Sequence, residues 1–350
     1  MKALLLTSPS SLMFTDIETP QPAAGDVRVK IAACGICGSD VHGYTGSTGR
    51  RVPPLVMGHE AAGTIDAVGP DVSGEMIGQR VALDSTVFCS ECEFCRNGQE
   101  NLCTDRQVLG VSCDAYRRHG CFAEYVIVPK RCVYPLPDHM DFIAASLLEP
   151  LTIGLQAVRL GNAGPTTRSA VVVGAGTIGL AIVAALKAYG VQRIAAVDLD
   201  AGRLKEAKDL GADDVFDAAQ VNPKQLTEWG ASSVDTDGAD MVLEAVGAAA
   251  SVNTAIHAVT RGGTVVLVGN VSPAVEIPLQ TIVTRQIRLQ GSCASAGCYP
   301  EAIRFAASGK VDLSRFVSRV APLAEGAGWF ERLHNRETGL LKVVLQPSEP

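Results

Sequence analysis

The chain has no long run of Lys or Arg, no apolar stretch of membrane-spanning length, no internal repeat and no low-complexity tract. Its formal net charge is −7 and its pI is near 5.4. A nucleic acid or an anionic membrane is therefore not the expected partner. Charged residues are only 19% and hydrophobic ones 47%, the reverse of a disordered composition. At the N-terminus Lys2 and a short apolar run stop at Thr7-Ser8-Pro9, too short for the apolar core of a signal peptide. The expectation is a cytoplasmic protein. In that compartment eleven cysteines, an odd number, read as metal ligands and buried thiols rather than disulfides.

What is present is enough for two domains, since 350 residues exceed what one core usually organises. Residues 1–36 read as β structure, with Val27, Val29 and Ile31 alternating with Arg28, Lys30 and Ala32. A loop is expected at 43–50, a strand at 56–69 broken by Gly58 and Gly63, and further strands at 80–87 and 122–128. Between them, 88–121 has little periodicity and many polar, Cys and Gly residues. So long a loop needs something other than a core to hold it. From about 150 the pattern changes. Ser169-Ala170-Val171-Val172-Val173 suits a strand buried on both faces. A helix-period segment follows (Ile178, Ile182, Leu186), then a strand at 193–197, a helix at 201–210 and strands near 241–243, 264–268 and 287–289. That alternation predicts a parallel, doubly wound sheet. A helix at 299–308 and a strand at 341–345 close the chain.

Gly174-Ala175-Gly176-Thr177-Ile178-Gly179 lies between the buried strand and a helix. There the first glycine permits a tight turn, the second lets backbone approach a pyrophosphate, and the third lets helix and strand pack closely. The helix N-terminus offers free N–H groups to phosphates. Asp198 lies about 20 residues further on, at the end of the next strand, where a carboxylate accepts the ribose hydroxyls and repels a 2′-phosphate. NAD is favoured over NADP, although Arg203 nearby keeps NADP in play.

Two metal signals stand out. Cys89, Cys92, Cys95 and Cys103 form C-x2-C-x2-C-x7-C, four thiolates able to close a tetrahedral structural zinc. Tetrathiolate ligation alone does not distinguish zinc from an iron–sulfur cluster, but no other redox signature accompanies it. Cys37 and His59, in Cys37-Gly38-Ser39-Asp40-Val41-His42 and Gly58-His59-Glu60, form the second signal. A catalytic zinc needs about three protein ligands and an open position. The third would come from Glu60 or from a distant carboxylate. Glu149, set in the apolar Leu147-Leu148-Glu149-Pro150-Leu151, is the first candidate, because a charge there is costly unless paired or coordinating. Cys34, Cys113, Cys121, Cys132, Cys293 and Cys298, with His119, His139, His257 and His334, read as packing or surface residues.

Together these motifs, in this order and over essentially the whole chain, resemble the zinc-dependent medium-chain dehydrogenase/reductase family. The similarity is to its polyol branch (sorbitol dehydrogenase-like, near threonine and galactitol-phosphate dehydrogenases). The resemblance implies an α/β protein. A GroES-like, mostly β catalytic domain would comprise 1–150 and 295–350, with the zinc lobe at about 88–121. A Rossmann NAD-binding domain would comprise 151–294. It implies that Cys37, His59 and Glu149 hold the catalytic zinc, Glu149 directly or through water, and that Glu60 is a mobile carboxylate able to enter or leave the shell. Asp40 would orient His59, while Ser39 and His42 match proton-relay positions. Ile178, Asp198 and Arg203 match NAD contacts. Val268, Gly269 and Asn270, with Ser292, Cys293 and Ala294, match segments near the nicotinamide. A homodimer or homotetramer joined through the coenzyme domains, with 287–291 extending a sheet, is also implied.

The expected reaction is reversible NAD-linked oxidation of a secondary alcohol, a polyol or sugar alcohol, to the ketone, with two zinc ions per chain. The sequence departs from sorbitol dehydrogenases at two places. Those enzymes tend to carry Tyr directly after the position of His42 and an Arg-Tyr pair after the last coenzyme-domain strand; here stand Gly43 and Ala294-Ser295. L-threonine, butanediol and galactitol-phosphate therefore remain as alternative substrates. Metal-free quinone or enone reductases lack the cysteine lobe and the Cys37/His59 pair. A non-catalytic NAD-binding protein has no need of an open metal site.

Overall fold

The computed structural model describes residues 1–231 and 236–347. The chain divides into two compact units. One comprises Met1–Glu149, Tyr299–Ala307 and Phe316–Pro350, and the other Pro150–Cys298 and Ser308–Arg315.

The first unit is built on a seven-stranded sheet. Its main path runs Val133–Pro135, Arg80–Leu83, Glu60–Val68, Asp26–Gly35, Val343–Gln346 and Arg319–Pro322, and Tyr125–Pro129 also pairs with Asp26–Gly35. The alternating strand expected near 27–31 is thus its centre, with Val27, Val29 and Ile31 buried. Register matters here. Gly35 pairs with Glu60 on one side and with Val344 on the other, so three distant segments meet at one glycine. A smaller sheet joins Ser11–Asp16, Lys2–Ser8 and Leu55–Val56.

Several local expectations change. Gly58, at φ +93°, does end the short strand Leu55–Val56, but Gly63 sits inside the continuous strand Glu60–Val68. A Cβ on Gly63 would lie 2.1 Å from the Lys30 carbonyl oxygen, so glycine serves close strand approach rather than a break. The loop expected at 43–50 begins late, because Gly38–Tyr44 is a helix with Cys37 as its N-cap. The strand expected at 80–87 is two, Arg80–Leu83 and Thr86–Val87. Asp84 turns the corner, its Oδ1 accepting the Thr86 N–H at 2.8 Å. Glu149, in its apolar run, lies in the first turn of the helix Leu148–Leu160.

The second unit is a six-stranded, fully parallel sheet. In spatial order its strands are Asp214–Asp217, Arg193–Asp198, Ser169–Val173, Ala239–Glu244, Val259–Leu267 and Arg288–Gly291. Numbered along the chain this is 3-2-1-4-5-6, the doubly wound order whose switch point lies between strands one and four. All five residues of Ser169–Val173 are buried, as its continuous apolar composition predicts. Periodicity had not marked the strand Asp214–Asp217 or the helices Pro223–Gly230 and Ala249–Ala258. The first of these helices is signalled by chemistry instead. Asn222 and Gln225 form a reciprocal capping box with Pro223 at the first turn, a start signal independent of hydrophobic period.

Burial gives Asp84 a testable signature. Its carboxyl, 6% exposed, is pushed up to about 7 by burial, partly opposed by the Thr86 N–H and aided by the charges of Glu149 and Glu100. Because the folded value is above the ordinary 3.8, the unfolded chain ionises first as pH rises. Stability is then fully present below about 4 and is lost as pH climbs through 7. Asp84→Asn keeps an acceptor for Thr86 without this titration. Its thermal midpoint should exceed that of the parent by several degrees at pH 8, and by much less at pH 5, in thermal unfolding scans.

Candidate metal and dinucleotide sites

The Cys37 site is assembled from the starts of two elements of the first unit. Cys37 caps the helix Gly38–Tyr44, and His59 and Glu60 open the strand Glu60–Val68 after the turn at Gly58. One ligand atom from each of Cys37, His59 and Glu60 lies within 4.8 Å of the others. His59 turns Nδ1 toward Asp40 Oδ1 at 3.4 Å, in poor alignment for a hydrogen bond, and Nε2 toward Ser39 Oγ at 3.5 Å. A carboxylate beside Nδ1 favours a proton on that nitrogen, which would leave the Nε2 lone pair to a bound metal. A half-buried thiol beside a buried imidazole and carboxylate, with a second carboxylate behind the ring, fits a zinc site of the open, catalytic type.

Asp40 is fully buried and has a second partner that sequence reading did not find. Arg51, 6% exposed, donates to Asp40 Oδ1 through Nη2 at 3.0 Å and Nε at 3.3 Å, and to Ser39 Oγ at 3.4 Å. Burial would raise the Asp40 pKa, but the facing His59 and Arg51 charges hold it well below the usual carboxylate range. Burial would likewise lower His59, yet Asp40 and Cys37 carry its pKa well above the ordinary value.

Glu149 stands outside the group of Cys37, His59 and Glu60. Its Oε1 accepts the Ser85 hydroxyl at 3.1 Å. Burial pushes its carboxyl up to about 7, with the Glu60 charge adding to the rise and His59 opposing it. Ser39 and His42 lie three apart on one short helix, hence on one face; His42 is exposed. Lys342 was also missed. It is 1% exposed and binds both Glu60 oxygens, at 2.7 and 2.8 Å. The signal was present, since a lysine inside Leu341-Lys342-Val343-Val344-Leu345 is as anomalous as Glu149 in its own apolar run.

The four lobe cysteines also converge. Sulfur–sulfur distances are 3.5 Å for Cys92–Cys95 and Cys89–Cys103 and 3.9 Å for Cys89–Cys95. Backbone N–H groups of Glu91 and Cys92 point at Cys89 Sγ, and that of Cys89 at Cys103 Sγ. Backbone N–H groups of Cys95 and Thr104 draw the Cys92 thiol down to about 6, while burial pushes Cys95 up to about 12. Four sulfurs this crowded cannot all ionise without a cation among them. The set fits a closed zinc site.

In the second unit the glycine motif leaves Ser169–Val173, strand one of the sheet, beside the switch point. Gly174 has φ +96°, and Gly176 is the N-cap of the helix Thr177–Ala188, which also carries Ile178. A Cβ on Gly179 would fall 1.7 Å from the Gly174 carbonyl oxygen, so only glycine lets the helix start this close to the turn. Asp198 ends its strand and accepts the Ala175 N–H at 2.6 Å and the Asp200 N–H at 2.9 Å. Arg203 is exposed in the next helix. Val268 and Gly269 both donate to the Glu244 carbonyl, with Asn270 following, and Ser292 donates to that of Leu267. These residues lie at the same strand ends as Gly174, where such sheets bind ligands. Cys293 is exposed and Ala294 has φ +50°. Glu244, buried, accepts the Val246 and Gly247 N–H groups and was missed by sequence reading.

Cys92→Ser should lower the zinc content by one ion per chain and cost folding yield, because the lobe loses its only cross-link. Metal analysis of the purified variant checks this; a fully metallated, normally stable variant would refute it. Gly179→Ala should abolish dinucleotide binding through the clash with Gly174, measured by nicotinamide fluorescence titration.

Comparison with known proteins agrees with this geometry. Residues 23–138 match the alcohol dehydrogenase GroES-like domain and residues 177–308 match the zinc-binding dehydrogenase family. The chain is 36% identical over 298 residues to an L-idonate 5-dehydrogenase of Vitis vinifera, covering 84% of this chain and 80% of that protein. It is 33% identical to a sorbitol dehydrogenase of Bacillus subtilis, with 99% and 98% covered. Among solved structures, an alcohol dehydrogenase of Escherichia coli CFT073 in complex with NADH superposes with a TM-score of 0.90. Identity there is 31%, and 99% of each chain is covered. Identity at this level across nearly the full length shows that the chain belongs to the zinc-dependent medium-chain alcohol dehydrogenases, in their polyol branch, oxidoreductases that use zinc and NAD(P).

Proposed function

We propose that this enzyme oxidises a secondary alcohol of a polyol or sugar-derived substrate to the ketone, reversibly, with NAD+ as hydride acceptor. The observation that carries the reading is the grouping of Cys37, His59 and Glu60 within 4.8 Å, beside a serine hydroxyl. Cys37, His59 and Glu149 would hold the metal, with Glu60 as an alternative ligand, and Cys89, Cys92, Cys95 and Cys103 would hold a second, structural ion. A zinc ion at the first site supplies a Lewis acid that lowers the pKa of an alcohol. The remaining tasks fall to the chain. Asp40, braced by Arg51, orients the His59 ring. Ser39 Oγ takes the substrate hydroxyl proton and passes it toward His42, the exposed residue one turn on. Asp198, with a carboxylate at the ribose position, favours NAD over NADP. Gly174, Gly176, Thr177, Ile178 and Gly179 cradle the pyrophosphate, and 268–270 and 292–294 flank the nicotinamide.

The domain division proposed is 1–150 with 295–350 as the catalytic part and 151–294 as the coenzyme part. Assembly into a dimer or tetramer is supported by the edge strand Arg288–Gly291 and by Leu279 and Val283, 66% and 65% exposed. An apolar face beside an open strand edge is otherwise a liability. Among substrates, the L-idonate and sorbitol enzymes found as relatives favour a polyol or its acid over threonine or a simple diol. Galactitol-phosphate stays the nearest alternative.

A panel of polyols, aldonates, sugar phosphates, threonine and diols with NAD+ and NADP+, read at the nicotinamide absorbance band, tests the reading. Turnover is expected with NAD+ and a polyol or aldonate; turnover of threonine or butanediol alone would overturn the substrate class. Cys37→Ser and His59→Ala should each abolish turnover while leaving NAD+ affinity within about threefold of the parent. Normal turnover in either variant would remove the metal from the mechanism.

A further inference from the structure

Glu244 ends the strand Ala239–Glu244, between Val173 on one neighbouring strand and Leu267 on the other. It is fully buried, at the strand ends where such sheets bind ligands. Two loop segments begin beside it. The first, 245–247, is held by its side chain: Oε1 accepts the Val246 N–H at 2.9 Å and the Gly247 N–H at 2.8 Å. The second, 268–270, is held by its backbone, whose carbonyl oxygen accepts the Val268 N–H at 2.8 Å and the Gly269 N–H at 3.0 Å. One residue thus ties both segments. Oε2 is buried and has no hydrogen-bond partner among the described residues, so Oε1 alone carries the side chain's share.

The two segments meet backbone to backbone, and glycine makes that possible. A Cβ on Gly269 would lie 2.1 Å from the Gly247 nitrogen, and one on Gly247 would lie 2.2 Å from the Asn270 nitrogen. The Gly247 carbonyl also accepts the Ser272 N–H at 2.9 Å. On its other side the first segment leans on the glycine turn. Ala245 N–H donates to the Val173 carbonyl, and a Cβ on Gly174 would lie 2.5 Å from Val246 Cγ2. Segment 245–247 is therefore a spacer between that turn and 268–270, fixed by two hydrogen bonds to one carboxylate oxygen.

We propose that Glu244 is a positioning residue for the nicotinamide half of the cofactor, acting by holding 245–247 against 268–270. The inference rests on the placement of the nicotinamide beside 268–270 in the preceding section. Without Oε1 the Val246 and Gly247 N–H groups lose their acceptor, and the segment recovers one only by moving. Movement there displaces 268–270 through the Gly247–Gly269 contact. The glycine motif is spared, because its own ties run elsewhere: Gly174 N–H donates to the Val197 carbonyl and Ala175 N–H to Asp198. The defect should therefore fall on one end of the cofactor and leave the adenosine and pyrophosphate end as it was.

The test compares two ligands on the zinc-loaded enzyme. NADH is read by its own fluorescence. ADP-ribose, which carries the adenosine and both phosphates but no nicotinamide, is read by calorimetry. Glu244→Asp keeps the charge and loses the reach. Glu244→Gln keeps the reach and an acceptor oxygen, giving up only Oε2, which makes no bond. Glu244→Asp should raise the NADH Kd about tenfold, the scale of such lost acceptors, and leave the ADP-ribose Kd within about twofold. Its bound NADH should emit more nearly as the free cofactor does. Glu244→Gln should hold the NADH Kd within about threefold of the parent. Gly269→Ala wedges the two segments apart with Glu244 intact, and should show the same split even if Glu244→Asp folds poorly. Equal losses for NADH and ADP-ribose, unchanged NADH affinity in both Glu244→Asp and Gly269→Ala, or a Glu244→Gln no better than Glu244→Asp would overturn the positioning role alone. A parent whose bound NADH emits as the free cofactor does would overturn the placement of the nicotinamide with it.

Discussion

A buried charge must find an opposite charge, and the first unit is arranged around meeting that demand twice within a few ångströms. Asp40 is matched by Arg51 and Glu60 by Lys342, and all four are nearly inaccessible to water. Between these pairs stand His59 and Cys37. Desolvation here is severe enough to push the Glu149 carboxyl up to about 7. A thiol and an imidazole in such surroundings are held in orientation by fixed charges rather than by mobile solvent, which is what an open metal site requires of its supporting groups.

The two pairs do different work. The Asp40–Arg51 contact fixes the carboxylate that faces His59 Nδ1 and reaches Ser39 through the same guanidinium. The Glu60–Lys342 contact holds both oxygens of a carboxylate that lies close to Cys37 and His59. The sheet makes the second pair possible, since the register at Gly35 aligns segments that are far apart in the chain. In the second unit a backbone constraint replaces electrostatics. Gly174 and Gly179 are required by a turn and a helix start that leave no room for a side chain, and the parallel order places that turn at the switch point of the sheet.

Much of this was legible in the residues. The cysteine spacing announced the lobe, because four ligands within one short loop can hardly avoid meeting. The glycine motif announced its turn, because strand, turn and helix are adjacent in sequence. Gly58 and Gly63 looked alike and proved different: the first bends the chain at φ +93°, while the second admits a neighbouring strand. Spacing along one segment does not tell these apart, since the second role depends on what lies across the sheet. The helix Gly38–Tyr44 is short and rich in Gly, Ser and Asp, so propensity argued against it; its place after the central strand decided otherwise. Asp84 falls within the one strand expected at 80–87, and its side chain, accepting the Thr86 N–H, turns the corner there.

The sequence by itself determined the chemistry available: a thiol and an imidazole for an open metal site, four thiols for a closed one, a glycine turn and an acid for a dinucleotide. Each is a local pattern, read from residue type and near spacing. Tertiary structure decided the partners. That Lys342 holds Glu60 across Gly35 follows from register between strands, while Arg51 braces Asp40 and Ser85 meets Glu149 where connecting segments meet helices. Charge pairing in a core acts over a few ångströms of space whatever the separation along the chain, and so it leaves no periodic trace in the sequence.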